Sequence, residues 1–285
     1  MKKTAIITLY FPKKETVNNT LTVSKQVDTV ILCDNSSNNN EELFKDITNV
    51  VYYPFYENLG LPGAFNHVLK SYPFEDDDYI FFFDQDSSIE ENHIDTLIRE
   101  YDDLEKKGYK VGCLGPEFFN TSNNTIERPT LKTDLTETCY STKSIITSSM
   151  LCKYSSLKDI GFWNEKIFLD MADWDLCWRF LEKGYLCCMT SKTILHHSVG
   201  TGEKKIGPIS LRKGAAFREY YQTRDSLYLL KEKYVPLKFK LRFIANVTVR
   251  PLVHLRLYED KKKRLHYIAS GYKDYFKNKH GALVD

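Results

Sequence analysis

No stretch of the 285-residue chain approaches the roughly 18 apolar residues that a membrane-spanning helix needs, the longest apolar stretches lying near Phe81 and Phe243. Nor does the start read as a secretory leader. In MKKTAIITLYFPKK the apolar run lasts about eight residues and meets Pro12, Lys13 and Lys14 where a small-residue cleavage site would stand. The seven cysteines are odd in number and contain no C-x-x-C pair, which argues against a disulfide framework and for reduced thiols in a cytoplasmic protein. FPKKETVNN, after the first apolar run, has no glycine, so the Gly-rich triphosphate loop of a nucleotidyltransferase is missing. There is no internal repeat, and no nucleic-acid-binding module is recognisable, so no nucleic-acid partner is expected. What remains is a chain with 42% hydrophobic and 14% aromatic residues, enough to bury a full core.

Charge is unevenly spread. The whole chain carries 40 Lys and Arg against 38 Asp and Glu, but residues 226–285 hold 14 of the former and 5 of the latter, leaving a mildly acidic body. Beyond Pro236, LKFKLRFIANVTVRPLVHLRLYEDKKKRLHYIASGYKDYF mixes aromatic and aliphatic residues with Lys and Arg at helical spacing. Such a segment suits an anionic membrane interface, and a homodimer face is its alternative use.

Apolar periodicity in the first 115 residues alternates strands with helices. Thr4–Tyr10, Thr29–Cys33, Val50–Tyr53, Tyr79–Phe83 and Val111–Leu114 read as strands, Leu61–Leu69 and Ile94–Lys107 as helices. That order implies parallel βαβ units covered on both faces, with ligands bound outside the carboxyl ends of the strands. Polar clusters stand there: Asp34-Asn35-Ser36-Ser37, Tyr56-Glu57-Asn58-Leu59-Gly60, and Asp84-Gln85-Asp86. Residues 116–150 read as loops plus a hairpin or edge strand at SIITSSML (144–151). Asp173 is positioned to cap a helix over Trp174–Lys183, Leu186–Thr190 is a strand, and a long helix runs from about Lys213 to Lys233.

Two carboxylates at i and i+2 beyond a strand offer hard oxygens to Mg²⁺ or Mn²⁺, although Asp and Ser also favour a plain solvated turn. Asp34 is suited to an Asx-turn, Asp173 to a helix N-cap, and Asp175 and Arg179 to an i, i+4 ion pair. Trp174 and Trp178 share a face, as packing or as an aromatic platform.

Taken in order, the strand with Thr8 and Tyr10, VILCDNSS, ENLGLPGAFN, FFFDQDS, IGFWNEKIFLDMADWDLCWR, LHHSVG and YYQTRDSLYLLKEKY resemble the family 2 inverting glycosyltransferases of the GT-A fold, especially bacterial rhamnosyltransferases of O-antigen and cell-wall polysaccharide synthesis. The resemblance covers roughly Thr4–Tyr234. It implies an α/β GT-A domain over residues 1–234, with a nucleotide-binding half to about 115 and an acceptor half beyond, followed by a basic helical extension over 235–285. It assigns Thr8, Tyr10, Asp34, Asn58, Gly60, Asp84, Gln85 and Arg224 to the nucleotide-sugar, with Asn66 a weaker candidate beyond Gly63. Asp86, with Asp84 and His197, would hold Mn²⁺ or Mg²⁺, His196 being the alternative if the register is off by one. Asp173 would be the general base. Ala172 stands where many members have Glu, and Asp225 where many have Asn. Thr201–Lys205 would form a charged lid. The resemblance further implies transfer of rhamnose from dTDP-rhamnose to a lipid-linked glycan on the inner face of the plasma membrane. The alternatives are another donor such as a UDP-hexose, or a sugar nucleotidyltransferase.

Overall fold

The computed structural model describes residues 1–120, 125–129, 131–197, 203–206, 209–212, 214–258 and 260–283. In chain order the elements are β1 (Lys3–Leu9), α1 (Lys14–Ser24), β2 (Thr29–Asp34), β3 (Val50–Pro54), α2 (Gly60–Ser71), β4 (Tyr79–Asp84), α3 (His93–Lys106), β5 (Val111–Asn120), β6 (Thr125–Glu127), β7 (Lys132–Asp134) and β8 (Cys139–Thr142). They continue with β9 (Met150–Lys153), α4 (Tyr154–Asp159), α5 (Ala172–Glu182), β10 (Leu186–His197), β11 (Glu203–Ile206), β12 (Ile209–Arg212), α6 (Arg218–Lys231), α7 (Leu237–Leu257) and α8 (Lys261–Phe276).

One large sheet runs β3-β2-β1-β4-β9-β5-β10-β8-β7, with β6 on β5. Its first four strands are mutually parallel. β4 shows why they are buried on both faces. Ile80 and Phe82 pack on one side, where Phe82 meets Phe65 of α2 at 4.6 Å and Trp163 at 5.2 Å. Phe81 and Phe83 point to the other side, into a cluster with Ile94, Leu97 and Tyr101 of α3. All four β4 side chains are essentially inaccessible, worth about 1.5–3 kcal/mol apiece, which makes this strand a rigid mount. All seven cysteines are free and buried.

Several boundaries differ from the expected ones. SIITSSML is not an edge: only Met150 and Leu151 belong to β9, which lies antiparallel between β4 and β5 in the middle of the sheet. The α5 helix begins at Ala172 with Met171 in a left-handed conformation before it, so Asp173 lies in its first turn and is not the cap. β10 runs on to His197 through a bulge between Thr190 and Ile194. The α1 helix was not anticipated, because KETVNNTLTVS offers little contrast between its faces.

Pro236 precedes α7, and Pro251 lies inside that helix without ending it. The basic C-terminal helices are fastened to the body from within. Glu219 of α6 is buried and accepts from His254 of α7 at 2.6 Å and from Arg264 of α8 at 2.7 Å. Phe239 and Phe243 of α7 pack on Trp178 of α5 at 4.6 and 6.1 Å. Part of the positive charge counted in the sequence is therefore consumed internally.

Candidate active site

Register gathers the acidic strand ends. Thr8 of β1 is paired with Asp84 of β4 on one side and Cys33 of β2 on the other, and Leu9 with Asp34. Asp34 is fully buried. One carboxylate oxygen accepts from the Ser36 backbone N–H at 2.8 Å, closing the Asx-turn, and the other accepts from Asn40 at 2.8 Å and from the Tyr52 hydroxyl. Burial, with the Asp34 hydrogen bond next, drives the Tyr52 hydroxyl well above its ordinary range. Thr8, one residue before the partner of Asp34 on β1, is half-buried, and Tyr10 is 52% exposed. Gln85 clasps Tyr10: its side-chain oxygen accepts from the Tyr10 N–H at 2.8 Å and its amide donates to the Tyr10 carbonyl at 3.1 Å. Its amide thus ties the tips of β1 and β4 together.

Asn58 accepts from the Gly60 N–H at 3.0 Å. Gly60 has φ +73°, and a Cβ there would stand 2.5 Å from the Phe168 carbonyl oxygen, so only glycine fits. The Leu61 N–H donates to that same carbonyl at 2.9 Å, which pins the start of α2 to the loop that precedes α5. Asn66 is buried and bonded both ways to the Trp163 backbone, a link between α2 and the 163–165 loop.

Asp84 is half-buried and Asp86 exposed. The Ser148 hydroxyl donates to Asp84 Oδ2 at 2.9 Å and is itself bonded to Ser87. Behind it Ser149 bonds His93, whose other ring nitrogen meets Thr193 at 2.7 Å; burial pushes the His93 pKa down to about 4, leaving it neutral. These serines were not singled out in the sequence, although a polar Thr-Ser-Ser run entering a buried strand was the available signal. Two carboxylates on one rigid tip, one steadied by Ser148, suit a hard divalent cation that completes its shell with phosphate oxygens. Among the described residues they form no three-ligand cluster by themselves; the one such group is Cys113, Cys177 and Cys187, in the core.

Asp173 stands in the first turn of α5, close enough to Asp84 for that charge to act on it. Its carboxyl is pushed up to about 7 by burial first, then by Cys177, and the negative charges of Asp84 and Asp170 add to the rise. A bond from the Trp174 N–H at 2.8 Å opposes it. Asp170 is occupied by Arg218 at 2.8 Å and Gln222 at 2.9 Å, and Asp175 by Arg179 at 2.8 Å, the expected ion pair. Trp174, beside Asp173, lines a cavity of about 200 Å³ with Phe118, Arg128, Ser144, Ile146 and Met189. A larger cavity of about 440 Å³, at Asn66, Lys70, Glu165 and Tyr234, includes none of the acidic site residues.

An antiparallel bridge between Ser88 and His196 lays the end of β10 beside the acidic turn. The His196 ring turns toward Glu90, at 3.4 Å, and Phe119. The His197 side chain lies outside the described residues, as do Thr201 and Gly202 of the expected lid, while the backbone of 203–206 pairs with 209–212. Arg224 is not in the crevice. It is fully buried, donating to Asp225 at 2.7 Å, to Tyr220 at 3.1 Å and to the Gly281 carbonyl at 2.7 Å. Asp225 accepts from the Phe168 N–H at 3.0 Å, and burial lifts its carboxyl to about 6 in spite of the guanidinium. The Arg-Asp pair thus holds the loop that precedes α5 from behind.

Comparison with known proteins agrees with this arrangement. The family model described as glycosyl transferase family 2 matches residues 4–161. A dTDP-rhamnosyl transferase RfbF of Shigella flexneri is 26% identical over 277 residues, 93% of this chain and 90% of that protein. Among solved structures, GalNAc-T7 with UDP, GalNAc and Mn²⁺ superposes with a TM-score of 0.61 at 13% identity, covering 97% of this chain and 56% of its own. The chain therefore spans little more than half of that protein. Staphylococcus aureus TarS 1-349 in complex with UDP-GlcNAc gives 0.53 at 12% identity, covering 98% of this chain and 93% of its own. The architecture is the expected GT-A one.

Proposed function

The chain belongs to glycosyl transferase family 2, and from that premise we propose that it transfers rhamnose from dTDP-rhamnose, with inversion, to a lipid-linked surface glycan. The observation that carries the mechanism is the carboxyl of Asp173 in the first turn of α5, raised to about 7 by burial and within the electrostatic reach of Asp84. A carboxyl tuned near the working pH is ionised often enough to accept a proton and basic enough to hold it. In a single displacement the acceptor hydroxyl gives its proton to an Asp173 oxygen as its own oxygen bonds to the anomeric carbon. The bond from that carbon to the diphosphate breaks on the opposite face, and the nucleoside diphosphate leaves. Asp34, with Thr8 and Tyr10 beside it, receives the base of the nucleotide, while Asn58, Gly60 and Gln85 shape the backbone around it. Asp86 and Asp84, with a histidine from the end of β10, would hold Mn²⁺ or Mg²⁺, which when bound neutralises charge on the departing diphosphate.

Rhamnose is supported by the name of the Shigella relative, at 26% identity. No helix among the described residues is long and apolar enough to cross a membrane, and the basic C-terminal helices suit a peripheral position on the inner face of the plasma membrane. The test is a thermal-shift screen of nucleotide sugars with Mn²⁺, since a ligand of the folded state raises its apparent stability. Stabilisation by dTDP-rhamnose above UDP-hexoses is expected. A larger shift with a UDP-sugar would reassign the donor, and no shift or slow hydrolysis with any nucleotide sugar would refute the transferase.

A further inference from the structure

Three of the seven buried cysteines meet in the core, and the transfer chemistry uses none of them. Cys113 lies on β5, Cys187 on β10 and Cys177 on α5, all fully buried, and their sulfur atoms lie within 4.8 Å of one another. The sheet is adjusted to bring two of them together. Leu186 of β10 pairs with Val111 of β5 but Cys187 pairs with Cys113, so β5 bulges by one residue at Gly112; an even register would set Cys187 opposite that glycine. Bulges re-aim side chains in this way. A Cβ on Gly112 would stand 2.7 Å from the Phe180 ring, so α5 comes down directly on the bulge and brings Cys177, three residues before Phe180, over the cysteine pair. Cys188, next along β10, belongs to the apolar cluster on the other face of the sheet, with Phe81 and Phe83.

A triangle with sides of 4.8 Å has its centre about 2.8 Å from each corner (4.8/√3), while a thiolate sulfur lies about 2.3 Å from bound Zn²⁺, so each sulfur has to close in by at most about 0.5 Å. A small side-chain rotation supplies that. As free thiols the group is poorly served: Cys177 reaches the Ile145 carbonyl at 3.9 Å and Cys187 the Cys177 carbonyl at 3.5 Å, weak bonds from a weak donor. The Ile145 N–H, in contrast, donates to Cys177 Sγ at 3.5 Å, a contact that also steadies a metal-bound thiolate. Among the described residues no carboxylate or histidine joins the group. A donor set of sulfur alone selects soft cations over the hard Mg²⁺ or Mn²⁺ suited to the acidic turn.

We propose that Cys113, Cys177 and Cys187 form a buried site for one soft, thiophilic cation of the Zn²⁺ or Cu⁺ kind, which fastens α5 to β5 and β10. Each sulfur that binds as a thiolate sends its proton to solvent, and no oxidation state changes. Because the three sulfurs are enclosed, the ion is taken up as the chain folds. Cys177 lies one turn beyond Asp173 on α5, so the ion steadies the helix that carries the base without touching substrate.

The test is elemental analysis of the full chain produced in medium supplemented with zinc or with copper, then washed with excess Mg²⁺ to clear the acidic turn and gel-filtered. About one equivalent of zinc or copper per chain is expected, and the analysis tells which of the two is held. X-ray absorption at the edge of that metal should show a shell of three sulfurs at about 2.3 Å. Cys177→Ala and Cys187→Ala should each lower the metal content at least about tenfold, while Cys188→Ala, on the other face of β10, should leave it unchanged. Melting curves check that the variants fold, and where one does not, the wild-type absorption spectrum decides alone. Less than about a tenth of an equivalent of both metals in wild type would overturn the proposal. So would a shell of oxygen and nitrogen, or metal retained in folded Cys177→Ala.

Discussion

Asp173→Asn is the perturbation that asks most of the account. With the Asp173 carboxyl at about 7, about half of the free protein has the base ionised at pH 7 and only about 1% at pH 5, so kcat/KM for the donor should fall roughly fifty-fold over that interval. Replacing the carboxylate removes proton acceptance, worth typically about 10²–10⁴ in rate, and should flatten the acid limb while leaving donor binding nearly unchanged. Stability should move the other way. The folded pKa lies above the unfolded value of 3.8, so the folded state binds more protons between those pH values and stability declines as pH rises through that window. Above pH 7 the buried charge costs at most about 4 kcal/mol, and partial solvation of this half-buried group brings the figure to on the order of 2. The Asn variant should therefore melt higher than wild type at pH 8, with the gap closing near pH 4. Nucleoside diphosphate release over pH 5–8, together with melting curves, reads both effects. A variant that keeps the wild-type pH profile and most of its turnover would refute the assignment of the base.

Three further outcomes follow from the site. Asp86→Ala should abolish Mn²⁺-dependent donor binding by calorimetry while changing the melting temperature little, because Asp86 is an exposed turn residue. Arg224→Ala should cost about 3–5 kcal/mol in urea unfolding, since it strands Asp225 in the interior, and Arg224→Lys should recover only part of it. Gly60→Ala should lose about 1–3 kcal/mol to backbone strain and lower activity further, because the new Cβ meets the Phe168 carbonyl and shifts the loop that leads to Asp173; a variant as stable and active as wild type would contradict that contact.

What could be read from the sequence and what could not divide along physical lines. β1 to β4 were legible because strands buried on both faces are apolar runs closed by polar exits, and the acids at those exits had to converge once the strands were parallel. β9 was not, because the insertion of an antiparallel strand between β4 and β5 depends on pairings some 70 and 40 residues away. Asp173 was singled out by its motif, but its position inside the first turn of α5 depends on the left-handed Met171, which composition does not reveal. Arg224 differs: the resemblance assigned it to the nucleotide-sugar, whereas Tyr220, Tyr221 and the Gly281 carbonyl enclose it. The basic extension read as a separate appendage, whereas Phe239 and Phe243 pack it against Trp174 and Trp178 of α5.

The central claim is a single displacement at the anomeric carbon driven by Asp173. Real-time proton NMR of the sugar first formed from the donor in the presence of Mn²⁺, recorded before mutarotation, tests it most directly. An anomeric configuration opposite to that of the donor, with no product from Asp173→Asn, is the result the account predicts. A first-formed product with the donor's own configuration would contradict it.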